Sequence, residues 1–537
     1  MGSLLATNEL QGLHWVDWGI IAIYAVSTIG LGWYYSRRQK STEEYFVGSG
    51  NMNPILVGIS LFATLLSTIS YLSMSGEALG KGPMQLTGIF AMPLIYVIVA
   101  YGLLPVYMRH RVTSAYELLE LKLGLSVRML GAVMFVTLRL VWMSLLVFLA
   151  ARAMTIMLGI PEQDKAEWIP TIVLVTGFVS VIYTSLGGFR AVVITDLMQT
   201  ILLFGGAVLV IVMVTIDFEG FSWFPTTWQE NWDRQPFFPA SPKTRVTVIG
   251  TIFTGLTWTV CTAGGDQTAV QRFMATRDAK AARQAYATNM LVGLVVSLTL
   301  AMVGFALLAY FQTHPEVLPA TWDLKQNADD MFPRYIAYHL PIGVSGLVVA
   351  AMFAAAMSSI DSGVNSITAV VTTDFLDRFG LRPKTERAHV RIAQILAFSI
   401  GAIVVIGSSY VGLVKGNITA VTQKTTNLLV TPIFALFFFA LFVPFARPKG
   451  VWVGAVCGTA TAILLAFSGP IVQWLAVNHG VDPATFGTEW VLSKNQETGV
   501  MERGIVDPVS FQWIGPVALF VNLLTGTVVS LLVAKKK

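Results

Sequence analysis

The feature that most constrains this chain is a series of apolar stretches long enough to cross a bilayer. They fall at about 16–35, 54–76, 85–108, 127–158, 169–186, 191–216, 246–265, 286–312, 341–375, 391–409, 420–445, 451–475 and 511–534. Most approach or exceed the roughly 20 residues that a spanning helix requires. With 55% hydrophobic and 12% charged residues, the 537-residue chain has too little polar surface for a soluble domain. The expected fold is an all-α polytopic membrane protein of about 13 transmembrane helices.

Charge orients the spans. Glu9 and Asp17 precede the first run, and Arg37, Arg38 and Lys40 follow it. No basic n-region precedes that run, so it reads as a retained helix rather than a cleaved signal. Basic residues recur in alternate connections: Arg109 and Arg111, Arg128, Arg190, then Arg272 with Arg277, Lys280 and Arg283, and Arg378 with Arg382. The connections 217–240 and 314–335 are richer in Asp, Glu and Trp. The positive-inside rule then places the N-terminus outside. An odd number of spans brings the C-terminus, with Lys535–Lys537, inside. The formal charge of +5 is accounted for by these loops and needs no nucleic-acid partner. Cys261 and Cys457 lie in apolar segments and form no metal or disulfide pattern. The six histidines are scattered near span ends, and no HExxH or GxSxG motif appears, so enzyme chemistry is not expected. A sensor would need a regulatory domain, for which the segment after Val533 leaves no room. A multi-pass protein of the plasma or inner membrane is expected, with the bilayer, a small solute and a cation as its partners and no obligate protein partner evident.

Polar residues inside the spans point to function, because they are costly in hydrocarbon unless they line a cavity or bind something. The clearest case is 351–366, AMFAAAMSSIDSGVNS. Ser358, Asp361, Ser362 and Asn365 follow a three-to-four residue step and share one helix face. Oxygens gathered in this way suit a hard cation. Two other spans read as broken. One is 54–76, with Ser67, Thr68, Ser70, Tyr71 and Ser73 before Gly76. The other is 246–265, in which Thr257, Trp258, Thr259 and Thr262 precede the weakening pair Gly264–Gly265. Each break opens a block of five spans, and two odd-numbered blocks form inverted repeats. The expected divisions are 1–53, a first repeat at 54–216, an outside loop at 217–245, a second repeat at 246–445, and a two-helix C-terminal part at 446–537. Asn417-Ile418-Thr419 matches a glycosylation sequon, a pattern common enough to arise by chance.

Arg139 lies eleven residues beyond Arg128, or about 16 Å at the helical rise of ~1.5 Å per residue. It either grips a solute carboxylate, pairs internally with Asp196 or Asp361, or snorkels to the inner face. Gln423 and Lys424 open the eleventh span from the outside, where the lysine attracts an anion or sits at the interface.

Residues 187–199, GGFRAVVITDLMQ, resemble the signature of the sodium/solute symporter family. AAAMSSIDS, SLFATLLSTISYLSMSG and DQTAVQRFMATRDAKAARQA resemble it too, in the family's order and over roughly 15–475. The resemblance implies a LeuT-type 5+5 inverted repeat and a symporter that couples Na⁺ entry to solute uptake by alternating access. It implies a sodium site at the Ala63, Leu66 and Ala355 carbonyls and the Ser358 and Ser359 hydroxyls. A second sodium site, which some members have, maps onto Ser358, Asp196, Asp361 and Ser362, with Asp361 departing from their serine. Sugar contacts of the family are absent at Ile69, Ser70, Thr259 and Thr262. Ser73 to Glu77 looks closer to the monocarboxylate, vitamin and iodide branch. With Arg139, this favours an organic anion; a neutral sugar or amino acid, or a channel, is the alternative. The candidate substrate-facing residues are Ser67, Thr68, Ser70, Tyr71, Arg139, Trp258, Thr259, Thr262 and Gln423.

Overall fold

The structure, a computed structural model, describes residues 13–37, 41–110, 112–239, 241–319, 322–410, 418–494 and 501–534. Glu9, Arg38, Lys40, Arg111 and Lys535–Lys537, used above to orient the chain, and Asn417 of the sequon lie outside them.

Among the described residues, twelve helices are long and apolar enough to span a membrane, and a bent pair makes a thirteenth. In chain order they are α1 (Trp15–Ser36), the bent α2 (α2a, Pro54–Leu65, and α2b, Thr68–Gly80), α3 (Pro83–Arg109), α4 (Leu125–Met157), α5 (Lys165–Ile182), α6 (Thr184–Asp217), α7 (Val248–Gly265), α8 (Ala279–Thr313), α9 (Val344–Asp377), α10 (Glu386–Ser408), α11 (Ala420–Phe442), α12 (Pro448–Ala466) and α13 (Phe511–Ala534). The expected count of thirteen and the split between 169–186 and 191–216 both hold. Within the opening turns of α6 the chain kinks at Gly188, whose positive φ (59°) would strain a Cβ.

The α2 break has a local cause. Leu66 and Ser67 are extended, and the Ser67 hydroxyl accepts from the Ser70 amide as a cap for α2b. The two halves meet at 69°. The second break lies one residue beyond its expected place. Gly264 and Gly265 remain helical, and the chain turns at Asp266 (φ −92°, ψ 120°) before a short helix, α7b (Gln267–Met274). The glycines serve close packing instead: a Cβ on Gly264 would lie 2.6 Å from the Phe434 ring of α11. Asp266 then caps α7b, its Oδ1 accepting from the Thr268 amide at 2.8 Å.

α9 is the most enclosed span. Its apolar window is 83% buried, against 22% for α1 and for α13, so it is a central post rather than a lipid-facing staff. It packs on α6, α4, α1, α10 and α2a. Asp17 of α1 fixes its N-terminal end by accepting from the Gly343 and Gly346 amides at 2.7 and 2.8 Å, which satisfies donors that the first turn of a helix leaves free. Both halves of α2 rest on α8 through glycines: a Cβ on Gly58 would meet the Ala285 carbonyl at 2.3 Å, and one on Gly304 the Ser75 carbonyl at 2.3 Å.

Candidate functional site

Small side chains bring α9 against the α2 break. Ser359 Oγ lies 3.5 Å from the Thr64 carbonyl, Thr64 Oγ1 is 2.8 Å from Ser362 Oγ, and Thr68 donates to the Met352 carbonyl at 3.0 Å. Ala63, Leu66, Ala355, Ser358 and Ser359 are all buried around this contact. Because the chain leaves helical geometry at Leu66, the carbonyls of α2a after Phe62, which still accepts from the Leu66 amide, lack the amides that would follow them. Carbonyls and hydroxyls in this arrangement can hold a weakly bound alkali ion.

Next to it lies a charged cluster. Asp196 of α6 accepts from Ser60 of α2a at 2.5 Å and from Ser358 of α9 at 2.5 Å. Arg272 of α7b lies 3.3 Å from the same carboxylate, donates to Ser362 at 2.6 Å and to Ser60 at 3.0 Å. Arg272 is 1% exposed. Sequence reading counted it among the inside-loop charges; the structure buries it, because Asp196 and three neighbouring acceptors replace its water. Three of the four residues mapped to a second sodium site, Asp196, Ser358 and Ser362, therefore share one cluster, with Arg272 among them.

Asp361 is turned elsewhere. Its Oδ1 accepts from Thr184 at 2.6 Å and lies 3.5 Å from Ser180, while Oδ2 has no partner among the described residues.

Among the described residues, two cavities lie beside the break. The larger one, of about 310 Å³, is bounded by α2b, α3, α4, α7, α8 and α11, and its wall is mainly apolar, with Leu65, Met74, Leu86, Trp142 and Trp258 among its lining. Ser70 and Gln423 line it, as do Ser73, Glu77 and Gln85. The smaller, deeper one shares Leu65, Trp142, Trp258 and Thr426 with it and reaches Arg139, Thr262 and Asp266. Arg139 is ion-paired with Asp266, not with Asp196 or Asp361. Other predicted residues face away from both cavities. Ser67 caps α2b, Thr68 is bonded to α9, and Tyr71 stacks on Phe332 at 4.9 Å and donates to the Leu203 carbonyl at 3.3 Å. Thr259 is half-buried and lines neither.

A model of the sodium:solute symporter family matches residues 45–458. The chain belongs to that family.

Its similarity to individual symporters agrees. The sodium/sialic acid symporter NanT of Aliivibrio fischeri is 29% identical, the match covering 85% of this chain and 88% of the relative. Human sodium-coupled monocarboxylate transporter 1 is 27% identical over 85% of this chain and 74% of its own length. Among solved structures, a Na⁺-coupled sialic acid symporter in a substrate-bound outward-open state superposes with a TM-score of 0.74 at 24% identity, covering 96% of this chain and 98% of that one. A nucleobase-cation-symport-1 family transporter matches with a TM-score of 0.53 at 10% identity, over 92% of this chain and 95% of that one. These likenesses establish the LeuT-type fold. As a family member, the chain is a membrane-embedded Na⁺-coupled symporter and not an enzyme.

In this symporter a charge network converges on Glu77 in the wall of the larger cavity. Arg245 grips Glu77 with two bonds of 2.9 and 2.8 Å and reaches Asp233 at 3.0 Å; Lys325 joins Asp233 at 2.8 Å. Burial pushes the Asp233 carboxyl up, but Lys325 and Arg245 outweigh it and hold the group below the usual carboxylate range. A second network joins the start of α4, the end of α9 and the Glu117–Leu123 helix. Arg128 bonds Asp374 and Glu120 at 2.7 Å each, and Arg378 reaches Glu120 at 2.6 Å. Spacing alone hid both: Glu77 and Arg245 are 168 positions apart.

Proposed function

We propose that this symporter carries a solute with a carboxylate on an apolar or amphipathic body, moved inward with Na⁺. The supporting observation is Arg139. It lies in the wall of the deeper cavity, it is buried, and its Nε has no partner among the described residues. A guanidinium with an unused edge suits a carboxylate, which can take two parallel bonds. The overlying walls, with Trp142 and Trp258, suit the rest of such a molecule better than a polyhydroxylated ring. Relatives whose names state sialic acid and monocarboxylate transport share the carboxylate of this reading.

Na⁺ is assigned to the Ala63, Leu66 and Ala355 carbonyls with the Ser358 and Ser359 hydroxyls. With Na⁺ there, α9 and the α2 break are drawn together, and solute affinity rises by linkage. The second site, at Asp196, Asp361 and Ser362, belongs to the proposal in a reduced form: Arg272 supplies positive charge beside Asp196 and Ser362, and Asp361 faces α5 and α6 instead. The N-terminus is taken as outside and the C-terminus as inside, with 54–216 and 246–445 as the two repeats, and no protein partner is required. The test is a thermal-shift series on the purified chain with phenylacetate, octanoate, N-acetylneuraminate, glucose and alanine, each in Na⁺ or K⁺. Stabilisation by a carboxylate in Na⁺ alone is expected; stabilisation by glucose or alanine only would overturn the anion assignment.

A further inference from the structure

Asp266, in the wall of the deeper cavity, occupies a position that the family's sodium site does not explain. It is the non-helical residue between α7 and α7b, it is 5% exposed, and its two oxygens have different partners. Oδ1 accepts from the Thr268 amide, and Oδ2 is paired with an Arg139 terminal nitrogen. Arg139 Nε and Thr262 Oγ1, beside the pair in the wall of the deeper cavity, are buried and have no partner among the described residues. Asp266 thus satisfies the guanidinium through one bond and leaves its Nε edge unmet.

A solute carboxylate, with two free oxygens, can meet that edge bidentately. Two carboxylates against one guanidinium in a water-poor site repel each other, so the second favours release of the first. We propose that Asp266 is a resident carboxylate that competes with the solute carboxylate for Arg139, and that this exchange sets both the anion preference and the Na⁺ dependence of binding. The proposal rests on the symport reading above and makes Asp266 a positioning residue that acts through Arg139.

α7b ties the exchange to the cation site. Asp266 caps it, and six residues on Arg272 is lodged among Ser60, Asp196 and Ser362. Between them Gln271 donates to the Phe46 carbonyl at 2.5 Å and accepts from Ser366 of α9 at 2.8 Å. The inner side is held as well: Gln267 is bonded to the Ala115 amide and the Thr113 carbonyl at 2.7 Å each. A shift of Asp266 is therefore passed along one short helix to the residues beside Ser358 and Ser359. Coupling of this kind is reciprocal between the two ligands.

The test compares the wild-type chain with Asp266→Asn, which keeps size and capping ability and removes the charge. Binding of phenylacetate, octanoate and N-acetylneuraminate, and of phenylacetamide and octanamide as uncharged controls, is titrated by thermal shift in Na⁺ and in K⁺. Loss of the competitor is expected to tighten carboxylate binding about tenfold, within the range measured for close charge pairs, and to shrink the ratio of Na⁺ to K⁺ affinities. The amides should gain nothing. Unchanged or weaker carboxylate binding in D266N, or an equal gain for the amides, overturns the exchange; a merely structural Asp266 predicts the former. Asp266→Ser, which also caps, repeats the comparison should the asparagine variant not fold. A wild-type response equal in Na⁺ and K⁺ counts against symport, while the D266N comparison still decides the exchange. If no carboxylate stabilises either protein, the anion reading and the exchange fall together.

Discussion

One guanidinium nitrogen of Arg272 lies 2.6 Å from the Ser362 hydroxyl and 3.3 Å from Asp196, so a side chain of α7b supplies positive charge where α2a, α6 and α9 converge. Asp196 is wholly buried, and the pair has no water to fall back on. Removing one partner leaves the other as an uncompensated charge, at a cost of about 3–5 kcal/mol. Arg272→Gln should therefore lower stability by that order in thermal denaturation, and the double variant Arg272→Gln/Asp196→Asn should recover more than half of the loss. A double variant no better than the single one would refute the pairing as the source of the effect.

Ser359 is placed differently from Ser358. Its hydroxyl is 3.5 Å from the Thr64 carbonyl at the α2 break, whereas that of Ser358 is committed to Asp196 at 2.5 Å. Loss of the Ser359 hydroxyl should weaken Na⁺ more cleanly. In Ser359→Ala the Na⁺ concentration for half-maximal thermal stabilisation is expected to rise roughly tenfold, as for one bond to a charged group, with little change in Tm without Na⁺. An unaltered Na⁺ titration would remove Ser359 from the ligand set.

The spans were legible because lipid imposes a coarse rule: about twenty apolar residues per crossing, with polar residues only where something satisfies them. That rule located the α2 break, since Ser67 and Thr68 have no reason to interrupt an apolar run otherwise. It also singled out Ser358, Ser359 and Asp361. It misread Arg272, because a basic residue after a span looks like a loop charge until the chain is seen to continue from Asp266 into the buried α7b. It offered Asp196 or Asp361 as partners for Arg139 and missed Asp266, because Arg139 and Asp266 are 127 positions apart and meet only in three dimensions. Tyr71 and Thr68 share the polar face that suggested a substrate wall, yet their hydroxyls are taken by the Leu203 and Met352 carbonyls, a distinction invisible in spacing.

The Arg245–Glu77 network should act as a latch. Arg245 holds Glu77 of α2b with two bonds, and Asp233 with Lys325 braces it, so opening the larger cavity past Glu77 means parting these charges. Arg245→Gln is expected to open that cavity more often. A cysteine placed at Ser73, which lines that cavity, should react with a membrane-impermeant maleimide several-fold faster in the Arg245→Gln background than alone. Equal rates would show that the network does not gate access.

In the Glu120 network the same chemistry gives a pH dependence with a definite sign. Hydrogen bonds from Arg378 are the largest influence on Glu120; burial opposes them, Arg128 adds to them, and the carboxyl is held down at about 2. A depressed carboxylate stabilises the folded state above its ordinary range near 4 to 4.5, and this contribution is lost as pH falls from there toward 2. Acidification through that window should loosen the contact between the Glu117–Leu123 helix and Arg378 just beyond α9, and solvent exchange of its amides should rise. In Glu120→Gln the protein should already behave at neutral pH as the wild type does in acid, and that part of the pH response should vanish. Hydrogen exchange over 117–123 in the two proteins checks this; a wild-type profile in the glutamine variant would place the acid response elsewhere.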